Sequence, residues 1–177
     1  MQIIPSINAR TFEEVQERIK KIEPFVEWCH LDVTDGVFSI HLTWSNPADL
    51  SRLATPLYVE VHLMVAEPER AIDQWLVRPI RRVFLHMEAA KDMAVLIRKC
   101  RDARIEIGLA IRPDTDEKVL SRWADQMDLL ALLAVSPGPS GQKMSPDTSD
   151  KLVRLRAAHP NIPIEIDGGI TRETALQ

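Results

Sequence analysis

The strongest constraint in this sequence is a repeat. Apolar runs rich in β-branched residues alternate with amphipathic stretches along the whole chain. The runs end near Asp32, His62, His86, Ala110, Ala134 and Ile166, which are 30, 24, 24, 24 and 32 residues apart. The period-2 segments predict strands at 2–5, 26–32, 57–64, 80–86, 104–110, 127–135 and 162–166. Helical periodicity fills the intervals at 11–23, 47–53, 67–76, 91–103, 115–124 and 145–158. Several of these open on start signals: Thr11 ahead of Glu13 and Glu14, Glu67-Pro68-Glu69, and Ser145-Pro146-Asp147. Repeated βα units of this length impose a parallel sheet, either doubly wound or closed into a barrel.

The glycines choose between the two. No Gly-x-Gly-x-x-Gly follows an early strand, as a dinucleotide-binding sheet would require. Five of the six glycines (Gly36, Gly138, Gly141, Gly168 and Gly169) sit in short loops behind apolar runs. Polar and glycine residues gather after strands 2, 3, 6 and 7, which suits a barrel with its site at the C-terminal face. A full eight-unit barrel takes about 200 residues or more, and the 177 residues here stop just after the seventh strand. The expected fold is therefore α/β: one domain over 1–177, a parallel (β/α)8 TIM-type barrel lacking its eighth βα unit. Either the chain is truncated there or a tail follows. Seven strands with a gap between the seventh and the first are expected.

Composition excludes other classes. With 45% hydrophobic and 27% charged residues, the chain is too apolar for extensive disorder. Its net charge is −4, and no basic run exceeds pairs such as Lys20-Lys21 and Arg81-Arg82, which argues against nucleic acid as a partner. No apolar stretch approaches the ~20 residues of a membrane span, and the N-terminus lacks a signal-peptide layout. Cys29 and Cys100 form no CxxC pair and make a poor disulfide framework. A cytoplasmic protein, with no membrane partner, is expected.

Two constellations carry chemistry. The first is His30-Leu31-Asp32, followed by Asp35-Gly36, then His62 in Val61-His62-Leu63-Met64, then Asp167 in Asp167-Gly168-Gly169. Residues i and i+2 of a strand face the same way, so His30 and Asp32 point together into the barrel mouth. His62 ends the neighbouring strand and Asp167 the seventh. Any one of these alone reads as a core histidine or a turn-capping aspartate. Four at corresponding strand ends make a competent divalent-metal site. The second constellation is the loop 135–142, Val-Ser-Pro-Gly-Pro-Ser-Gly-Gln, beside Gly168-Gly169. Small-residue loops on late barrel strands expose backbone N–H groups that can hold a phosphate.

In order along the chain, Pro5-Ser6-Ile7, His30-Leu31-Asp32-Val33-x-Asp35-Gly36, Val61-His62-Leu63-Met64, Pro137-Gly138-x-x-Gly141-Gln142-Lys143 and Asp167-Gly168-Gly169-Ile170 resemble the ribulose-phosphate 3-epimerase family. That resemblance implies a metal-dependent (β/α)8 isomerase interconverting ribulose 5-phosphate and xylulose 5-phosphate. It implies one divalent metal ion (Zn, Fe, Mn or Co) held by His30, Asp32, His62 and Asp167, with Asp32 and Asp167 as the two acid/base groups. It implies substrate contacts from Ser6, His62, Met64, Gly138, Ser140, Gly141, Gly168 and Gly169, the glycines at the phosphate end, and a homo-oligomeric assembly. Inversion of a carbon beside a carbonyl needs a proton removed from one face and delivered to the other, which a pair of carboxylates can do.

The sequence departs from that family at several points. Thr34 and Leu133 stand where methionines are common, leaving Met64 alone of an apolar wall. The loop usually reading Gly-Phe-Gly-Gly-Gln is Gly138-Pro139-Ser140-Gly141-Gln142, and Ser39-Ile40-His41 replaces Val-Pro-Asn. The alternatives are an epimerase on another ketose phosphate such as allulose 6-phosphate, or a non-catalytic sugar-phosphate-binding homologue. Related decarboxylase and synthase barrels carry Asp-x-Lys-x-x-Asp, and strand 2 here has no lysine. His86 and Glu88 read equally as substrate contacts or packing. Trp44 reads as a lid or interface residue, and Trp28, Trp75 and Trp123 as packing between helices and sheet.

Overall fold

The computed structural model describes residues 2–176. Seven strands form one parallel sheet in sequence order: β1 (Ser6–Ile7), β2 (Trp28–Thr34), β3 (Tyr58–Met64), β4 (Ile80–His86), β5 (Glu106–Ile111), β6 (Leu129–Leu133) and β7 (Ile164–Asp167). β1 and β7 are the two ends of that order. The longer helices are α1 (Phe12–Ile22), α3 (Met93–Ala103) and α4 (Thr148–Ala158), with the single-turn α2 (Pro68–Ala71) after β3. The fold is a TIM-type barrel sheet carried through seven of its strands.

Alternation along the strands builds two separate cores. Leu31, Val33, Val61, Leu63, Val83, Leu85, Ile107, Leu109, Leu130 and Leu132 face outward. They pack with Val15 and Ile19 of α1, Leu96 and Cys100 of α3, and Leu155 of α4. The alternate residues face inward, where the apolar core is small: Phe84, Ala110, Leu129 and Ala131. Met64 and Leu133 continue that face at the ends of β3 and β6, and much of the remainder is polar. Register sets His30 against Glu60, Glu60 against Arg82 and Arg82 against Glu106, one level across four strands. One level higher, Asp32 lies against His62, His62 against Phe84 and Phe84 against Gly108. Gly108 is required there, because a Cβ on it would sit 2.4 Å from the Phe84 ring. Gly108→Val is expected to destabilise the protein by roughly 1–3 kcal/mol through overpacking, read as a lower thermal midpoint. An unchanged midpoint would show that the inner core is not tightly filled.

Local signals set several helix starts. The Thr11 hydroxyl accepts the Glu14 N–H at 3.2 Å, capping α1. Asp92 caps α3 the same way through the Val95 N–H at 3.1 Å.

Other expected elements are corrected. The helical patterns at 47–53 and 115–124 are 3-10 turns (Pro47–Arg52 and Glu117–Arg122), and 67–76 divides into α2 and the 3-10 turn Ile72–Gln74. In these segments the buried residues come as i,i+3 pairs: Pro47 with Leu50, Ile72 with Trp75, Glu117 with Leu120. A 3-10 turn eclipses side chains at that spacing, so one tight turn buries both. β1 lies at Ser6–Ile7 rather than 2–5; pairing starts where the His30 N–H reaches the Pro5 carbonyl at 3.0 Å, and Ile3 stays exposed. Trp44 is neither lid nor interface. It is buried between Phe12 and Trp75, with ring centroids 5.4 and 5.8 Å away, and its Nε1–H donates to Asp49 at 3.0 Å. Cys29 and Cys100 are free thiols in the core.

Candidate active site

The C-terminal ends of β2, β3 and β7 bring four side chains together. One ligand-type atom from each of His30, Asp32, His62 and Asp167 lies within 4.8 Å of all the others. His30 Nε2 is 3.5 Å from Asp32 Oδ1 and 3.8 Å from Asp167 Oδ2. His62 Nδ1 is 3.1 Å from Asp167 Oδ2 and 3.9 Å from Asp32 Oδ1. Both imidazoles are almost fully buried, while the carboxylates keep some exposure at the mouth.

Beneath this level lies a set of charges that sequence reading missed. His30 Nδ1 is 2.7 Å from Glu60 Oε1 and 3.3 Å from Glu165 Oε1. Glu60 is wholly buried and accepts a second bond from Arg82 at 2.7 Å, and Arg82 continues to Glu106. The signal was present: Glu60 and Glu165 precede His62 and Asp167 by two residues and so share their face. With Nδ1 donating to carboxylate, Nε2 of His30 is left without a hydrogen-bond partner although buried. A buried ring nitrogen with no hydrogen-bond partner, set among two carboxylates and a second imidazole, can offer its lone pair to a divalent cation once its proton is displaced, so the donor set fits a metal.

The electrostatics follow. Burial works against charge on His30, but Asp167, Asp32, Glu165 and Glu60 outweigh it and hold its pKa well above the ordinary histidine value. Burial likewise opposes ionisation of Asp167, yet the positive field of His30 and the bond from His62 hold its pKa down to about 2. Glu60 is lowered, against its desolvation, by His30 and Arg82. Glu165, with less compensation, is raised by burial.

A further pair stands behind His62. Its Nε2 lies 2.8 Å from Nε2 of His86, whose Nδ1 is 3.1 Å from Glu88 Oε2. His86 is fully buried, and that burial pushes its pKa down to about 4, leaving the ring neutral at physiological pH. It is sealed from above by Phe38 of the loop after β2, with ring centroids 4.7 Å apart.

The other predicted residues are placed as follows. Ser6 is exposed on β1, in register with His30. Met64 ends β3, buried and paired with Thr34. Asp35 stands outside the cluster; its carboxylate accepts the N–H groups of Val37, Phe38 and Ala66, tying the loop after β2 to the loop after β3. Gly138, Ser140 and Gly141 lie in the loop after β6, which Gln142 closes on itself through the Ser136 and Pro139 carbonyls. Asn8 and Ser39 hold that loop at Gly138 and Pro137. Gly168 and Gly169 follow Asp167 with φ of +93° and +66°, and a Cβ on Gly169 would meet the Met144 backbone nitrogen at 2.3 Å. The two glycine loops therefore lie side by side beyond the His/Asp cluster.

A parallel barrel sheet with acid, base and ligand groups at the C-terminal ends of its strands defines the class: a TIM-barrel enzyme. Solved structures share the architecture. Tryptophan synthase subunit alpha from Campylobacter jejuni superposes with a TM-score of 0.64 at 15% identity, covering 98% of this chain and 80% of that one. The YdjI aldolase from Escherichia coli gives 0.58 at 15% identity, covering 98% and 69%. At that identity the likeness is one of fold alone. The sequence is more specific. A model described as the ribulose-phosphate 3 epimerase family matches residues 2–177. Ribulose-phosphate 3-epimerases from Eremothecium gossypii and Bacillus subtilis are 34% and 29% identical to the chain. The first alignment covers 97% of this chain and 77% of that protein, the second 99% and 84%. The chain belongs to the ribulose-phosphate 3 epimerase family, and it is an isomerase.

Proposed function

We propose that the protein is a metal-dependent epimerase interconverting ribulose 5-phosphate and xylulose 5-phosphate. The observation that carries this reading is the buried, unpartnered Nε2 of His30 facing Asp32, His62 and Asp167. His30, Asp32, His62 and Asp167 would hold the divalent cation, Zn, Fe, Mn or Co. When bound, that ion supplies Lewis-acid stabilisation to negative charge on the sugar oxygens. Asp32 and Asp167 alternate as base and acid at C3, one removing the proton and the other returning one to the opposite face. Asp167, held ionised by its histidine neighbours, is ready to accept. Ser6 and Met64 border the sugar. Gly138, Ser140, Gly141, Gly168 and Gly169 form the phosphate end, where their backbone binds without taking part in proton transfer; this remote grip orients C3 between the carboxylates.

The test is a coupled assay on ribulose 5-phosphate after chelation and then with each divalent metal restored. Turnover should vanish on chelation and return with metal. Full activity in excess chelator, or none with any metal, would overturn the reading; turnover confined to allulose 6-phosphate would reassign the substrate.

Metal uptake should also depend on pH. His30 holds a proton well above its ordinary pKa in the metal-free protein, and a cation must displace it. Apparent affinity should therefore rise with pH, by up to about tenfold per unit while His30 is protonated. Isothermal titrations of Zn²⁺ across pH 6–8 would read this, and a flat profile would show that His30 is not a ligand.

A further inference from the structure

We propose that Asn8, Ser39 and His41 are positioning residues that clasp the loop after β6 and hold its backbone in the shape that receives the substrate phosphate. The proposal rests on the epimerase reading above and deepens it at the phosphate end.

Four consecutive carbonyls of that loop each accept a side-chain hydrogen bond. Gln142 Nε2 donates to Ser136 and Pro139 at 2.8 and 3.0 Å. Ser39 Oγ donates to Pro137 at 2.8 Å, and Asn8 Nδ2 to Gly138 at 3.1 Å. Gln142 belongs to the loop itself, whereas Asn8 reaches it from the end of β1 and Ser39 from the loop after β2. His41 joins these two. Its backbone N–H donates to Ser39 Oγ at 3.3 Å, and its Nε2 lies 3.0 Å from Asn8 Oδ1. The Gly138 carbonyl can only accept, so Asn8 turns its amide nitrogen to Gly138 and its oxygen to His41, which donates from Nε2. The base of the clasp is tied down in turn. The Trp44 N–H donates to the Ala9 carbonyl at 2.8 Å, and Arg18 donates to the Asn8 carbonyl at 3.2 Å. Ser39 and His41 stand where the family has valine and asparagine, and a valine at 39 would have no hydroxyl to give Pro137.

Fixing the carbonyls fixes the N–H groups. The peptide bonds of this loop are trans, so the C=O of one residue and the N–H of the next point in opposite directions. The Gly138 N–H is thus turned away from Ser39, and the Ser140 N–H away from Gln142. Among the described residues neither donates to a protein acceptor. Pro137 and Pro139 carry no N–H and stiffen the segment between these donors. Free backbone donors beside the Gly168-Gly169 loop suit a phosphate, and holding them in place before substrate arrives removes an ordering cost from binding.

Backbone ¹⁵N relaxation and titration with inorganic phosphate test this in the substrate-free protein, and kinetics on ribulose 5-phosphate test its consequence. In the wild-type protein the amides of Gly138, Ser140 and Gly141 should show order parameters of about 0.85, and phosphate should shift their resonances. Asn8→Asp keeps the size of the side chain and removes only the donor to Gly138. Its loop order parameters should fall below about 0.6. Phosphate should bind it about 3–10-fold more weakly, as expected for one lost hydrogen bond. KM should rise by the same factor while kcat falls less than about twofold. His41→Leu should behave alike, and His41→Gln, whose amide can donate to Asn8, should recover most of the loss. Mobile loop amides in the wild-type protein, unchanged order in Asn8→Asp, or no recovery in His41→Gln would overturn the clasp. So would a loosened loop with unaltered phosphate affinity, or a kcat that falls as far as KM rises, which would place the damage at the His/Asp cluster. If the wild-type protein turns over no ketose phosphate, the epimerase reading fails, and relaxation and phosphate titration still decide the clasp.

Discussion

Asp167→Asn should reduce epimerisation of ribulose 5-phosphate about 10³-fold, within the range seen when a positioned acid/base group is lost. The amide has nearly the size of the carboxylate, so the bend into Gly168 and Gly169 and the register of β7 with β6 should survive. What disappears is the ability to accept and return a proton on one face of the sugar. The side chain also loses the charge that, together with Asp32 and the two glutamates, raises the pKa of His30. His30 should accordingly titrate nearer its ordinary value in the variant. Because Asp167 is also placed among the metal donors, Zn²⁺ content must be measured alongside rate. A variant that keeps its metal and loses turnover supports proton transfer by the carboxylate. Near-normal turnover with metal bound would refute the two-carboxylate scheme.

Glu60→Ala should be the most damaging substitution away from the mouth. Glu60 is fully buried and serves two cationic partners, His30 at 2.7 Å and Arg82 at 2.7 Å. Removing one member of a buried charged pair costs about 3–5 kcal/mol, because the remaining charge loses its compensation. The lower end is expected here, since Arg82 is partly exposed and retains Glu106. The same substitution leaves Nδ1 of His30 with only Glu165, at 3.3 Å, and loosens the ring's orientation. Zn²⁺ affinity should therefore fall about 10–100-fold, beyond any effect on folding. Glu60→Gln should soften the stability loss, since the amide oxygen can still accept from one partner. Urea titrations and chelator competition on both variants would show this. A destabilisation below about 1 kcal/mol for Glu60→Ala would mean that water or Glu165 replaces the lost partner.

Much of the fold was legible because its determinants are local. The 24-residue spacing and the runs of apolar residues located six of the seven strands, β4 to the residue, since parallel strands buried on both faces read as near-continuous apolar runs. Capping at Thr11 was readable for the same reason: the hydroxyl and the N–H that it accepts are three residues apart. The short connections were not. Apolar residues at i and i+3 suit an α-helix and a 3-10 turn alike, and only the closeness of the sheet beneath Ile72 and Trp75 selects the tighter turn. Trp44 was misread for a related reason: no periodicity reports that a loop residue will fill a space between Phe12 and Trp75, two elements far apart in sequence.

The site divides along the same line. By itself the sequence determined that His30 and Asp32 share a face, that His62 lies on the strand next to theirs and Asp167 at the end of the seventh, and that glycine loops follow β6 and β7. These are consequences of the two-residue period and of chain order. Only the tertiary structure decided that Glu60 and Glu165 lie under His30, that His62 stacks on His86 rather than on a neighbour in its own strand, and that the two histidines offer opposite nitrogens to the cluster. Those contacts join residues 24 to 135 positions apart. They depend on how far each strand is shifted against the next and how the sheet curls. Both are set by packing of the outer face against α1, α3 and α4, and no local pattern in the chain encodes them.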